Sequence, residues 1–309
     1  MQATRTLLEG VVDFAGLFPP AKLDMAATVR NYHAYRAGGD VWMLGRLVVP
    51  VARLAEFEAA AAPVLPKTSG AGEDDEAWPI AALTAAASDP QFRIDLDLIA
   101  AFNERHSAVG AGSAVVDVIE VKAGTVGEID LAIDELPDEV FPYFEIAVDR
   151  DPRGLIAALA SLDVGAKIRT GGLTAEAHPT PEQVATFIAA CAGAEVPFKA
   201  TAGLHHPLRH LAPSVGCRQH GFLNVFLGAC FVWSEKIDLA QLTTLLADET
   251  SESFRFNDDS ATWRDARLTL HEIRAARDSF AHAFGSCSFT EPLADLRSMR
   301  LLTPETAAR

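Results

Sequence analysis

The sequence predicts an α/β fold, a (β/α)8 TIM-type barrel with parallel strands and surrounding helices. Three observations lead there. Short β-like segments alternate with longer helical ones along the chain, and that alternation implies a parallel sheet with crossover helices. The strand count reaches eight, the number that closes a barrel. The chain has 309 residues, of which 49% are hydrophobic, enough for a core of that size and too apolar for general disorder. A doubly wound open sheet is the structural alternative.

Strands are expected over 11–14, 42–49, 79–84, 114–121, 141–148, 165–169, 197–200 and 254–256. Each is a short run rich in Val, Ile, Phe, Leu or Ala, as buried parallel strands require. Helical patterns follow them over 25–36, 51–64, 91–105, 126–135, 152–162, 181–191, 222–246 and 261–283, and the pattern over 222–246 is long enough for two helices. One barrel domain over 1–309 is expected. Residues 66–77 carry Ser69-Gly70-Ala71-Gly72-Glu73-Asp74-Asp75-Glu76 and read as a flexible, solvated acidic loop. Residues 289–309 read as a C-terminal extension with a short added helix.

Acidic residues outnumber basic ones 42 to 26, a formal charge of −16. Phosphate backbones need a basic face, so nucleic acid is not an expected partner. An anionic membrane surface is disfavoured likewise. The longest apolar stretch, 222–233, is interrupted by Asn224 and is too short to span a bilayer. The four cysteines, Cys191, Cys217, Cys230 and Cys287, form no Cys-x-x-Cys pair. They read as structural or incidental thiols in a reducing, cytoplasmic setting. The expected partner is a small-molecule substrate, with room for a homo-oligomer.

Two lysines stand out. Lys167 lies in Ala166-Lys167-Ile168-Arg169-Thr170-Gly171-Gly172, and Lys199 in Phe198-Lys199-Ala200-Thr201-Ala202-Gly203. Each sits in a short apolar segment just before a Gly-rich loop. A lysine in water is a poor nucleophile because it is protonated. A second cation in a partly desolvated pocket favours the neutral amine. Two lysines at the ends of neighbouring strands therefore point to Schiff-base chemistry.

Charged and polar residues interrupt strands that should be continuously apolar. They are Glu120 and Lys122, Glu145, Lys167 with Arg169, Lys199 with Thr201, and Arg255 with Asn257. Alternation places residues i and i+2 on one face of a strand, so a coherent reading turns them toward the barrel axis. A buried ion pair is a poor device for stability, whereas the C-terminal ends of barrel strands are where catalytic groups gather.

These segments resemble the deoxyribose-phosphate aldolase type of class I aldolase. That family is a (β/α)8 barrel with a Lys-Thr-x-Thr-Gly segment on strand six and a Phe/Val-Lys-x-x-Gly-Gly segment on strand seven. The specific similarity covers about residues 165–204. The resemblance implies that Lys167 forms the Schiff base and that Lys199 favours its neutral form. It implies that Asp117 or Glu120 is the acid of the proton relay, and strand parity favours Glu120. Val12-Asp13-Phe14 resembles the family's first strand, making Asp13 a further candidate. Phe254-Arg255-Phe256-Asn257 falls where the family has an Arg-Phe-Gly segment before its phosphate loop. The family's phosphate-binding turns are replaced by Thr201-Ala202-Gly203-Leu204-His205-His206-Pro207 and Asn257-Asp258-Asp259-Ser260. Two aspartates would repel a phosphate, so an unphosphorylated carbonyl compound is expected.

The expected catalytic set is thus Lys167, Lys199, Glu120, Asp13 and Asp117. Arg169, Thr170, Thr201, Glu145, His205, Arg255 and Asn257 are expected around the substrate. Arg169 offers a bidentate fork for a carboxylate, and His205 offers a group that titrates near neutral pH. No cofactor is expected, since no Walker loop, dinucleotide fingerprint or Gly-x-Ser-x-Gly elbow is present. No tight metal-ligand motif appears either. One alternative is a metal-dependent isomerase or hydrolase using Glu120, Glu145 and His205. The other is a non-catalytic barrel that binds a small ligand.

Overall fold

The computed structural model describes residues 1–68 and 77–302. Helix α1 (Gln2–Leu8) leads into strand β1 (Val12–Phe14). Then come α2 (Met25–Arg36), β2 (Leu44–Pro50), α3 (Leu54–Ala61), β3 (Trp78–Leu83), α4 (Gln91–Ser107) and β4 (Ala114–Lys122). They are followed by α5 (Val126–Glu135), β5 (Phe141–Glu145), α6 (Arg153–Leu159), β6 (Gly165–Arg169), α7 (Pro181–Gly193) and β7 (Phe198–Thr201). A hairpin, β8 (His210–Ala212) with β9 (Cys217–Gln219), precedes α8 (Phe222–Trp233) and α9 (Leu239–Ala247). Strands β10 (Phe254–Phe256), β11 (Ser260–Trp263) and β12 (Ala266–Thr269) then lead to α10 (Leu270–Ser279), β13 (Ala281–Ser286) and α11 (Thr290–Ser298).

Eight strands close a barrel in the order β1-β13-β7-β6-β5-β4-β3-β2, and all eight pairings are parallel. Seven of the expected strands take their places. The eighth does not. Phe254–Phe256 belongs to a separate antiparallel sheet with β11 and β12. The closing strand is β13, which begins in the last three residues of the stretch expected as a helix over 261–283 and runs on to Ser286. Only Leu270–Ser279 of that stretch is helical.

The short helix expected within 289–309 is α11. Helix α11 directly follows the closing strand, so it is the barrel's eighth helix. Of the expected acidic loop, positions 69–76 lie outside the described residues, as do positions 303–309 of the chain.

Local sequence sets several helix starts. Thr180 and Gln183 form a reciprocal capping box ahead of α7, with Pro181 in its first turn. Thr125 with Glu128, and Thr269 with Glu272, do the same for α5 and α10. Each box satisfies backbone N–H groups that a helix start leaves unpaired, and Pro has no N–H to lose there.

Two cores result. The larger lies between the strands and the helices. The smaller lies inside the barrel and contains Ala15, Val48, Ala81, Val118 and Tyr143. Small residues dominate this inner layer, which leaves room for polar side chains along the axis. Gly165 makes space for the one large ring, because a Cβ there would lie 2.5 Å from the Tyr143 ring carbons. No helix among the described residues is long and apolar enough to cross a membrane.

Candidate active site

Strand alternation brings four charged side chains from four strands to the barrel axis. They are Asp13 from β1, Glu120 from β4, Lys167 from β6 and Lys199 from β7, each no more than 4% exposed. Glu120 is the bridge. Its Oε2 accepts from Lys167 Nζ at 2.7 Å, and its Oε1 accepts from Lys199 Nζ at 2.7 Å. Lys167 also meets Glu145 Oε2 at 2.7 Å, and Lys199 donates to Asp13 Oδ2 at 2.6 Å. The chain of contacts runs Glu145, Lys167, Glu120, Lys199, Asp13.

Asp13 is held from behind. Its Oδ1 accepts from the Arg46 backbone N–H at 2.7 Å. The neighbouring Gly45 permits this, since a Cβ there would overlap that same oxygen. Lys199 is fully buried, with the face of the Tyr143 ring 5.6 Å from its Nζ.

The electrostatics follow from burial and pairing. Burial alone would raise Glu120, but the two ammonium groups outweigh it and hold the carboxyl down at about 2. Burial alone would lower Lys199, but Asp13 and Glu120 outweigh it and hold the ammonium above the usual lysine value. Glu120 is therefore an ionised acceptor and Lys199 a fixed cation at neutral pH. Three carboxylates face two amines, so the cluster has an acceptor to spare.

Above this floor opens a cavity of about 510 Å³. Lys167, Glu120, Arg169, Thr201 and His205 line it, while Lys199 and Asp13 lie beneath. Phe18, Pro19, Pro20, Leu83 and Leu173 supply apolar walls. Arg169 is exposed and no ion pair or hydrogen bond among the described residues engages its guanidinium. The Thr201 hydroxyl is buried without a hydrogen-bond partner. At the rim, His205 Nδ1 meets Glu291 at 3.1 Å and His206 Nδ1 meets Asp295 at 2.6 Å. Both acids come from α11, so the last helix builds part of the mouth.

Other expected residues lie elsewhere. Asp117 binds Arg46 through two contacts of 2.8 and 2.6 Å and makes no contact with either lysine. Thr170 is buried, and its hydroxyl donates to the Ala202 carbonyl at 2.6 Å, so it ties the ends of β6 and β7 together and does not line the cavity. Arg255 belongs to the antiparallel sheet, and Asn257 to the turn that follows β10. The Asn257 side-chain oxygen accepts from the Asp259 and Ser260 backbone N–H groups, both at 2.8 Å, which fixes a turn away from the cavity. The Asp258-Asp259 pair does not line the cavity, and Asp258 instead meets the backbone N–H of Gln2, so its expected effect on a phosphate there falls away.

The alternative metal set is not assembled. Glu120 and Glu145 are engaged by Lys167, and His205 sits at the rim on Glu291. No group of three His, Cys, Asp or Glu suited to a metal ion is found among the described residues. Sequence reasoning did not find Tyr143, Gly45, Cys287, Glu291 or Asp295. The contacts of the last three with His205 and His206 span 82 to 89 residues and no local motif marks them.

No family model matches the sequence, and no curated protein matches it. Among solved structures, the chain is similar to one described as the first monomeric dihydrodipicolinate synthase variant. Identity is 12%, with 78% of this chain and 79% of that chain covered, and the TM-score is 0.38. At that score the likeness bears neither on the barrel, which rests on its strand pairing, nor on the chemistry.

Proposed function

We propose that this chain is a class I lyase of the aldolase type, acting on a small carbonyl compound through a Schiff base on Lys167. One observation carries the reading. Lys167 presents a buried amine to the floor of the cavity with carboxylates on either side, at 2.7 Å each. An amine that attacks a carbonyl must give up a proton, and Glu120 or Glu145 takes it. Nζ then bonds to the carbonyl carbon while the C=O pair moves to oxygen. Return of protons to that oxygen releases water and leaves an iminium. The iminium accepts the electron pair of a neighbouring C–C or C–H bond, and the same carboxylates manage the proton that moves.

Lys199 acts through Glu120. Its ammonium holds one oxygen of that carboxylate, so the other faces Lys167 in a fixed geometry. Asp13 holds Lys199 in turn and is a positioning residue. Arg169, unpaired beside the cavity, is placed to take an acidic group of the substrate, and Thr201 a hydroxyl or carbonyl oxygen. The surplus carboxylate at the floor and Glu291 at the rim favour a substrate without a phosphate.

The test is borohydride trapping. The protein is incubated with a panel of small aldehydes and ketones, reduced, digested and mapped by mass spectrometry. A reduced adduct on Lys167, lost in Lys167→Leu with the fold intact, is expected. Absence of any adduct on Lys167 across the panel would sink the proposal.

A further inference from the structure

The rim of the same cavity holds a second set of reactive side chains that the Schiff-base chemistry does not use. Cys287 lies just beyond the end of β13. It lines the cavity, as do His205 and Glu291. His205 Nε2 is 3.9 Å from Cys287 Sγ, and His205 Nδ1 is 3.1 Å from Glu291 Oε2. A carboxylate only accepts, so Nδ1 carries the proton and donates it to Glu291. That leaves the Nε2 lone pair facing the thiol. Nucleophile, base and orienting acid stand in the order that activated nucleophiles use.

Two further details fit. Burial raises the Cys287 thiol above its ordinary value, and the Ala21 backbone N–H facing the sulfur offsets this in part. The resting group is therefore S–H, and it needs a base to react. The unpartnered Thr201 hydroxyl lies between the two centres in register, because Thr201 pairs with Arg169 on one side and Gly285 on the other.

We infer that Cys287, His205 and Glu291 form a second nucleophilic centre, one that captures an aldehyde carbonyl as a hemithioacetal. The thiol proton passes to His205 Nε2. The Sγ–C bond forms as the C=O π pair moves to oxygen, and the imidazolium returns its proton to that oxygen. Nothing is oxidised or reduced, and reversal releases the aldehyde unchanged. A cavity with an amine at its floor and a thiol at its rim suits two carbonyl carbons held at once, as joining or splitting a C–C bond between two carbonyl fragments requires. The thiol centre itself stands without the Schiff-base reading.

The first measurement is alkylation of the intact protein by limiting iodoacetamide, mapped by mass spectrometry. Cys191 and Cys230 are fully buried and serve as internal controls. Cys217 is more exposed than Cys287, so reactivity that follows exposure alone labels Cys217 first and overturns the inference. Activation by His205 labels Cys287 first, and His205→Asn slows this by roughly 10²-fold, the scale of a positioned base. The second measurement is NMR of 13C-carbonyl-labelled propanal with Lys167→Leu, which cannot form the iminium. A hemithioacetal carbon that vanishes when Cys287→Ser is added supports the inference. Its absence overturns it, whatever borohydride trapping shows at Lys167. The wild-type alkylation needs no variant, so a poorly folding Cys287→Ser protein leaves the test in place.

Discussion

Glu120 is the residue on which both lysines depend. One carboxylate serves two ammonium groups, and both lysines are buried. Removing one partner of a buried ion pair leaves the other charge uncompensated, at a cost of roughly 3–5 kcal/mol. Glu120→Gln should therefore lower the urea midpoint markedly and slow adduct formation on Lys167 by roughly 10²–10⁴-fold, as loss of a proton-transfer group does. Asp117→Asn is the control. Its pair with Arg46 is about one-third exposed on both sides, so its loss should cost about 1 kcal/mol or less, with adduct formation retained. Equal damage from the two substitutions would refute the assignment of the relay to Glu120. The choice between these acids was open in the sequence, apart from strand parity. Lys167, Lys199, Glu120 and Glu145 were legible because a charge is conspicuous in a run that burial should make apolar, and Asp13 through the resemblance of its segment to a first barrel strand. Tyr143 and Gly45 were not. Their role is to shape the space around Asp13 and Lys199, and nothing in their local sequence says which side chain will lie against them.

At the scale of elements, the misread closing strand has a physical cause. Ala281-His282-Ala283-Phe284-Gly285-Ser286 is made mostly of small residues with weak β preference, and no Gly or Pro separates it from α10. Its strand form comes from pairing with β1 and β7 on either side, a tertiary effect. Phe254-Arg255-Phe256 carried the opposite hint. Its middle residue is exposed and its outer two are buried, the alternation of a half-solvated antiparallel strand and not of a barrel stave. The hairpin of β8 and β9 and the helix α11 also went unread as parts of the mouth. Close packing within the barrel gives a second prediction. At β6, Gly165→Ala puts a methyl group 2.5 Å from the Tyr143 ring and 3.1 Å from the Pro197 carbonyl. Overpacking of that kind costs typically about 1–3 kcal/mol, and the ring that must give way lies 5.6 Å from Lys199 Nζ with its hydroxyl bound to His282 Nδ1 at 2.6 Å. A lower urea midpoint with reduced borohydride trapping is expected. An unchanged midpoint would show that the barrel interior is looser than its contacts imply.

For the whole molecule, the buried titratable groups make stability depend on pH in a stepwise way. His220 and His282 are both held at about 4, first by burial and further by nearby cations such as Arg209 beside His220 and Arg277 beside His282. The Tyr143 hydroxyl at 2.6 Å from His282 Nδ1 suits a neutral ring, while the Pro179 carbonyl on His220 Nε2 favours the charged ring and is outweighed by burial. Above their ordinary value of 6.5 both are neutral folded or unfolded, and they add no pH dependence. Between 6.5 and about 4 the unfolded chain binds protons that the folded chain does not, so stability falls as pH falls. Glu120 acts lower. Its folded value of about 2 lies below the ordinary 4.5, so its contribution is complete above 4.5 and is lost as pH drops toward 2. Lys199 acts at the other end. Its contribution is complete below the ordinary 10.5 and is lost only as pH rises through its higher folded value. Urea midpoints measured across the acid range should therefore decline in two overlapping steps, with a plateau from near neutrality into mild alkali. In Glu120→Gln the whole curve should lie lower and the lower step should shrink, while the step between 6.5 and 4 survives. In a His220→Gln, His282→Gln double variant the upper step should shrink instead. Acid curves for wild type and Glu120→Gln that run parallel below pH 4.5 would mean that Lys167 and Lys199 do not hold the folded Glu120 carboxyl below its ordinary value.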